Sequence, residues 1–588
     1  MADHAISHPT ADAPQGSSSP WRYDLLAGFL VFLIALPLCL AIARASNYPP
    51  IAGIWTAVLG GIICSFISNS QMTIKGPAAG LIVIVAGSVL ELGREFGAGL
   101  SEGEQLRLGY QLSLGIGVVA GIVQILFGLF RAGKLADFFP LSAVHGLLAS
   151  IGIIIIAKQI YLVFGIDAPK GAEPLELLAH LPAALPKMNP EIATIGVISL
   201  LILVALPFVR NRYIRRIPGP MLALLIAVPL GMLFDLEHQH VYLFPDTFFL
   251  TPHYAEFEVG PRFLVDMPNV LQDPTTAFCF PNLGSFITAA GFPTIDFRGV
   301  FTGTGVKYVV LFAIIGSLES LLSAKAIDLL DKQRRKTDMN RDLLAVGVAN
   351  TLAAAIGALP MISEIVRSSA NINNGARSSK ANLFHGLFLL AFVVFLPDLI
   401  HRIPLAALGA MLVYTGYRLA SPREFARTYR IGTEQLVIFV STIAVTLATD
   451  LLIGIFAGVA VKLAFHLFNG VPLRGMFRPQ FELVQRDGQT PLLVVKQSAV
   501  FTNWIGLKGA IDAYGGPTGI TVDLSQTRLV DHSVMEKLHE VEREMREQGK
   551  HFSIIGLEDH QPLSRHPQAA RKKTQPKAEV TQPEKMLV

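Results

Sequence analysis

Charge is scarce in this sequence. Asp, Glu, Lys and Arg make up 16% of its 588 residues, against about 25% in an ordinary soluble protein. Hydrophobic residues reach 52% and the mean hydropathy is +0.49. That balance excludes a wholly soluble, disordered or collagen-like chain. Cysteine is scarce too. Cys39, Cys64 and Cys279 stand far apart with no CxxC or Cys/His spacing, so neither a disulfide framework nor a metal centre is expected. No GxxxxGK[ST] loop is present, which argues against direct use of ATP. The net charge is only +4, and neither a nucleic-acid partner nor a resident cofactor is expected. Residues 1–20 are polar, read as a disordered segment and carry no cleavable signal pattern.

Long apolar runs fill the space that charge leaves. A bilayer core needs roughly 20 apolar residues of helix. Hydropathy marks 24–45, 51–68, 76–93, 110–130, 141–165, 192–210, 220–234, 307–324, 343–358, 385–397, 403–418, 436–449 and 450–468. The last two are read as one hairpin turning near Asp450. Thirteen crossings conflict with the rule that Lys and Arg collect in cytoplasmic loops. Arg131 and Lys134 form one basic loop, and Arg210, Arg212, Arg215 and Arg216 a second. A third holds Lys325, Lys332, Arg334, Arg335, Lys336 and Arg341, and a fourth Arg418, Arg423, Arg427 and Arg430. One more crossing at 361–375, too polar to face lipid, brings all four to one side. Both termini are then cytoplasmic. The loop 236–300, with seven acidic and two basic residues, lies outside.

The polar segment is third in the second half. Third in the first half is 76–93, entered through SNSQMTIKGPAAG, which also reads as broken. Interrupted segments at matching places in two seven-span halves are the signature of an inverted-repeat transporter. The expected fold is an α-helical polytopic membrane protein of 14 spans in 7+7 inverted repeats, followed by a small α/β domain. In that domain 491–500, 519–525 and 551–557 read as strands. Residues 533–547 read as an amphipathic helix, with Val534, Leu538, Val541 and Met545 on one face. The expected division is a transporter domain over 21–470, an α/β domain over 478–560 and a basic disordered tail over 561–588.

Four stretches carry a family resemblance: IKGPAAGLIVIVAG at 74–87, SLESLLSAKAID at 317–328, NRDLLAVGVANTLAAAIGALP at 340–360 and IVRSSANINNGARSS at 365–379. With VDLSQTRLVDHSVMEKL at 522–538, they make the chain similar to the SulP (sulfate permease) family with a C-terminal STAS-like domain. The resemblance implies core and gate domains, anion transport, dimeric assembly and a plasma (inner) membrane location. Substrates in the family include sulfate, bicarbonate, chloride and dicarboxylates. Two positions depart from the family pattern. Ala78 replaces a common threonine, and Glu364 stands where small or hydroxyl residues are common.

Two half-helices meeting within the membrane would aim their free N–H groups and positive dipole ends at an anion. The first N-terminus is Gly76, Pro77, Ala78 and Ala79, with Pro77 expected in the first helical turn. The alternative is a GxxxG packing motif made by Gly76 and Gly80. The second is Met361, Ile362, Ser363 and Glu364, with Arg367 one turn later, and the N–H groups around Glu364, Ile365 and Val366 are expected to face the anion. Arg367 adds positive charge beside the anion, pairs with Glu364, or snorkels to the surface. Glu364 caps its own helix or binds a cation. Glu319 lies deep in the eighth span, where a carboxylate is costly and marks function. The resemblance links it to Na+ or H+ coupling, with Ser320 as a neighbouring ligand; the alternative is a salt bridge to Lys325 or Lys75. Ser533 matches a serine phosphorylated in some STAS proteins, or it begins the helix through a capping box with Glu536.

The expected function is secondary active transport of a small inorganic anion of the bicarbonate or sulfate class. It is coupled to Na+ or H+, or runs by anion exchange. A dicarboxylate transporter of the same family, a passive anion channel and a nucleobase-type permease are the alternatives. An enzyme is not expected, because His145, His385 and His401 fall in separate segments without a nucleophile–base spacing.

Overall fold

The computed structural model describes residues 21–137, 139–169, 172–211, 217–245, 254–268, 295–333, 335–485 and 490–573. The segment 1–20, Cys279, Arg212, Arg215, Arg216, Arg334 and residues 574–588 lie outside the described residues.

The first half runs α1 (Trp21–Ala45), α2 (Pro50–Ile67), strand β1 (Ile74–Pro77), α3 (Ile82–Phe96), α4 (Glu102–Leu129), α5 (Leu141–Val163), α6 (Pro174–Ala184), α7 (Pro190–Ala205) and α8 (Gly219–Leu233). A hairpin of β2 (His240–Pro245) and β3 (Tyr254–Val259) follows. The second half runs α9 (Gly303–Leu330), α10 (Met339–Ala355), strand β4 (Met361–Glu364), α11 (Ile365–Asn373), α12 (Lys380–Phe395), the short α13 (Pro397–His401), α14 (Leu405–Leu419), α15 (Pro422–Ile431), α16 (Thr433–Ala448) and α17 (Leu451–Phe468). The order of elements in one half repeats in the other. Even the surface helices α6 and α15, which hydropathy does not mark, fall before the sixth crossing of each half. The apolar run 436–468 does break at Asp450, whose carboxylate caps α17 by accepting the Ile453 N–H at 2.8 Å. Helices α1–α4 pack with α9–α12 in one bundle. The other bundle joins α5, α7 and α8 with α14, α16 and α17.

Strands β1 and β4 form an isolated antiparallel pair, with Lys75 opposite Ser363 and Gly76 opposite Ile362. Buried backbone away from water must find partners. Here side chains of the flanking helices supply them. The Ile74 N–H donates to Ser368 Oγ at 2.8 Å, the Met361 N–H to Asn350 Oδ1 at 2.6 Å and the Ser363 N–H to Ser320 Oγ at 3.1 Å. Within the polar span 361–375 itself, Ser368 takes this part, and Asn371 Nδ2 donates to the Met72 carbonyl at 3.0 Å. Pro77 ends β1 instead of opening a helix. The helical path resumes as a 3-10 turn at Ala79–Leu81, with Ala78 extended before it.

Beyond the membrane bundles come α18 (Leu473–Phe477), β5 (Gln480–Val484), β6 (Leu492–Ala499), α19 (Trp504–Tyr514), β7 (Gly519–Asp523), β8 (Thr527–Val530), α20 (His532–Glu547), β9 (His551–Ile555), β10 (His560–Pro562) and β11 (Arg571–Lys573). The strands make one seven-stranded sheet in the order β10-β11-β8-β6-β7-β9, with β5 pairing with β6. Leu493, Val495, Trp504, Ile511, Val522 and Leu538 fill its core. The ordered domain extends past the expected end at 560. Because β11 pairs with both β10 and β8, residues 561–573 belong to the sheet fold and not to a disordered tail.

Candidate transport site

The broken segments bring most of the candidate residues together and sort them into two sets. Behind the strand pair sits a buried polar network. Lys75 Nζ contacts Asp342 Oδ1 at 2.6 Å, both side chains about 1% exposed, and donates to Ser363 Oγ. Ser363 Oγ also lies 3.3 Å from Asp342 Oδ2, and Ser68 donates to Asp342 Oδ1 at 2.6 Å. Lys75 is therefore matched by Asp342 and not by Glu319. Ser320 is 3.1 Å from Ser363 Oγ and belongs to this network. Gly76, Pro77, Ala78, Ser320 and Ser363 thus support the site from behind.

In front lies a cavity of about 720 Å³ between the two bundles. Ala79, Gly80, Glu319, Ile365, Val366 and Arg367 line its inner wall with Ile362 and Glu364. His145, Tyr414, Thr415 and Arg418 line the opposite wall. Arg367 is fully buried. Its Nη1 is 3.5 Å from Cys39 Sγ, while Nε and Nη2 have no hydrogen-bond partner among the described residues. It forms no ion pair with Glu364 among the described residues, and its burial rules out snorkelling. A Cβ at Gly76 would come within 2.3 Å of Arg367 Nη1, so the guanidinium would have to move. Gly80 plays the same part for Glu319, whose carboxylate oxygens would meet an added Cβ at 2.3 and 2.5 Å. These two glycines make room for charged side chains; they are not helix-packing contacts.

Glu364 departs from its expected capping role. It is the N-cap residue of α11, but its side chain makes no capping hydrogen bond. Its Oε1 is buried without a hydrogen-bond partner among the described residues. Glu319 Oε2 is likewise buried and unpartnered. Sequence reading missed Gly80, His145, Tyr414 and Thr415 as cavity residues. Only Gly80 left a signal, its position within GPAAG. The other histidines stay apart: His385 is buried in α12, and His401 Nδ1 is 2.7 Å from the Val265 carbonyl.

A second charged cluster joins the C-terminal domain to the last span. Asp531 Oδ2 lies 3.4 Å from Lys462 Nζ and 3.3 Å from His466 Nε2, all three side chains fully buried. Asp531, not Ser533, caps α20, accepting the Val534 N–H at 2.7 Å. Ser533 lies two residues further in, at the second position of the helix. Ser533 is buried and accepts from Lys462 Nζ at 3.0 Å.

Two like halves of crossing helices, interrupted where they meet beside an inter-bundle cavity, define a membrane transporter. Residues 21–442 match the sulfate permease family, and the chain belongs to it. It is 30% identical over 459 residues to "Putative sulfate transporter YvdB" of Bacillus subtilis, spanning 76% of this chain and 74% of that one. Over 464 residues it is 23% identical to the bicarbonate transporter BicA of Picosynechococcus, spanning 79% and 72%. The transmembrane domain of a cyanobacterial BicA matches with a TM-score of 0.56 at 20% identity, over 75% of this chain and 97% of that one. SLC26A9 matches with a TM-score of 0.62 at 16% identity, over 93% and 85%. The relatives are named as transporters, and the shared fold is that of a helical membrane transporter with a C-terminal α/β region.

Proposed function

We propose that this protein is a secondary active transporter of a small inorganic anion of the bicarbonate or sulfate class. The anion sits between Ala79 and the first turn of α11, formed by Ile365, Val366 and Arg367. The observation that carries this reading is Arg367: a cavity-lining residue whose fully buried guanidinium leaves two nitrogens without a partner among the described residues. Anion transport is also the common thread in the names of the relatives. The bundle reads as sitting in the plasma (inner) membrane with both termini cytoplasmic, as a dimer. Leu141, Pro218 and Arg418 line the cavity close in sequence to the basic loops, which supports an inward-facing reading.

The charges favour coupling. At the buried end are two carboxylates, Glu319 and Glu364, one guanidinium, Arg367, and two helix N-termini worth roughly half a positive charge each. These balance near zero. A monoanion entering alone leaves one uncompensated negative charge in a buried site, which is costly. One H+ or Na+ at Glu319 restores the balance, so symport of one monoanion with one monovalent cation is the favoured mode, ahead of exchange or a channel. The test is uptake into proteoliposomes of labelled bicarbonate, sulfate and succinate, with imposed Na+ or pH gradients. Glu319→Gln is expected to carry the anion without the gradient driving it. Gradient-driven uptake by Glu319→Gln equal to wild type removes Glu319 from coupling. Absence of any anion uptake by wild type overturns the proposal, and preferred uptake of succinate selects the dicarboxylate reading.

A further inference from the structure

We infer that Glu364 makes the site selective for oxyanions that carry a hydrogen, such as bicarbonate, over oxyanions that carry none. The inference deepens the proposal above and rests on its placement of the anion. Three features of the inner wall lead to it.

First, Glu364 ends β4 and begins α11, so any anion held by the first turn of α11 lies beside its carboxylate. Second, the side chain makes no capping hydrogen bond to its own helix, leaving the first-turn N–H groups, which have no intrahelical partner, uncovered by it. Third, Oε1 remains buried and without a partner, on the wall of the same cavity as Arg367 and Glu319. The anion thus meets donors on one flank, the α11 N–H groups and Arg367, and an acceptor on the other.

An ionised carboxylate accepts hydrogen bonds and donates none. An oxyanion without a hydrogen turns lone pairs toward the lone pairs of Oε1. One with an O–H group satisfies Oε1 and places its remaining oxygens on Arg367 and the α11 N–H groups. A buried polar group built to pair with a substrate hydroxyl discriminates strongly against the analogue lacking it, because it is then left unpaired. Bicarbonate and nitrate isolate this effect. Both are planar, three-oxygen monoanions of nearly equal size, and they differ in one O–H. Hydrogen phosphate and sulfate make the same comparison for tetrahedral dianions.

The experiment measures initial uptake of labelled bicarbonate and nitrate by full-length protein in proteoliposomes at mildly alkaline pH. Thermal stabilisation of detergent-solubilised protein by the same anions provides a readout for variants that do not transport. Wild type is expected to favour bicarbonate by about tenfold or more, the discrimination given by one hydrogen bond to a charged group. Glu364→Ala brings the ratio near one. Glu364→Gln, whose amide can donate to nitrate, lowers it further, and Glu364→Asp retains a preference for bicarbonate. A wild-type ratio near one, or an unchanged ratio in Glu364→Ala by both readouts, overturns the inference. Ala79→Leu and Arg367→Gln separate the two levels. If both anions are still handled normally by these variants, the site lies elsewhere and the placement fails with the inference. If both anions are lost there while Glu364→Ala keeps the wild-type ratio, the placement stands and only the role of Glu364 falls.

Discussion

Replacing Asp531 by alanine is expected to destabilise the protein more than deleting the entire segment 478–588 destabilises the membrane domain. Asp531 holds four things at once. It caps α20 through Val534, accepts the Phe501 N–H at 2.9 Å, and lies against Lys462 and His466. Alanine removes the cap, worth about 1 kcal/mol. It also leaves a fully buried ammonium without its counter-charge, which costs about 3–5 kcal/mol. Lys462 keeps Ser533 Oγ at 3.0 Å, so about 4 kcal/mol in all is expected. Asparagine at 531 retains a good cap and loses only the charge, for about 3 kcal/mol. Deletion acts differently. Phe501, which lies 5.5 Å from both the Lys462 ammonium and the His466 ring, leaves with the domain, and the lysine returns to water. Burial by itself would push the Asp531 carboxyl up, but the Lys462 ammonium and His466 hold it below the usual range. A depressed carboxyl contributes stability above its unfolded pKa of about 4 and loses it only as pH falls below that value. The cluster therefore stays intact in mild acid. The assay is thermal unfolding in detergent, with Trp504 fluorescence reporting the C-terminal domain and detergent-resistant helicity reporting the spans. If Asp531→Ala melts with wild type, or the truncated membrane domain melts below Asp531→Ala, the argument is refuted.

Gly80→Ala is expected to push the Glu319 carboxylate out of position, cutting cation-driven uptake on the order of tenfold while leaving helicity intact; unchanged coupling in transport assays would contradict the tight fit. Asp342→Ala should cost about 3–5 kcal/mol by stranding the Lys75 ammonium, and the double variant with Lys75→Met should recover most of it in the same melting assay. His532 is held down to about 4 by burial, so the folded state resists its protonation. Its contribution is constant above the unfolded value of about 6.5 and is lost as pH falls from there toward about 4. Glu536, pushed up by burial, acts with the opposite sign and offsets part of that loss. A pH series of C-terminal domain melting should show the decline, and His532→Phe should flatten it.

The sequence makes the crossings legible because hydropathy and loop charge are additive along the chain. The half-span at 361–375 appeared only as a charge imbalance between loops, yet that imbalance placed it correctly. Three-dimensional sorting was hidden. Nothing in linear spacing separates Glu319 and Arg367, on the cavity, from Ser320 and Ser363, one residue or a few away and behind the strand pair. The choice of cap misled for a similar reason. Ser533 and Glu536 have capping-box spacing, but Asp531 stands two residues earlier and is a stronger acceptor already held by the Phe501 N–H. The helix therefore starts at His532. The surface helix α15 escaped because its sequence PREFARTYRI is polar, and α6 because PLELLAHLPAA, though apolar, is only 11 residues long.

The two halves share an order of elements, but at the site they have divided the work. The first half contributes small residues and backbone: Gly76, Ala79 and Gly80. The second contributes the charges that occupy the space those residues leave. Arg367 lies against Gly76 and Glu319 against Gly80. The one charge that the first half brings to the strand pair, Lys75, is matched by Asp342 of the second half. Lys75 therefore adds no free positive charge to the cavity. Under the proposed placement of the anion, this division lets the site tolerate two carboxylates. Their negative charge is set against Arg367 and two helix termini, while Lys75 is held out of the balance by its own partner. It also sets which substitutions matter. On the first half, size is the sensitive property, because any Cβ at Gly76 or Gly80 displaces a charge. On the second half, ionisation is the sensitive property, because removing one charge shifts the balance that an entering anion meets.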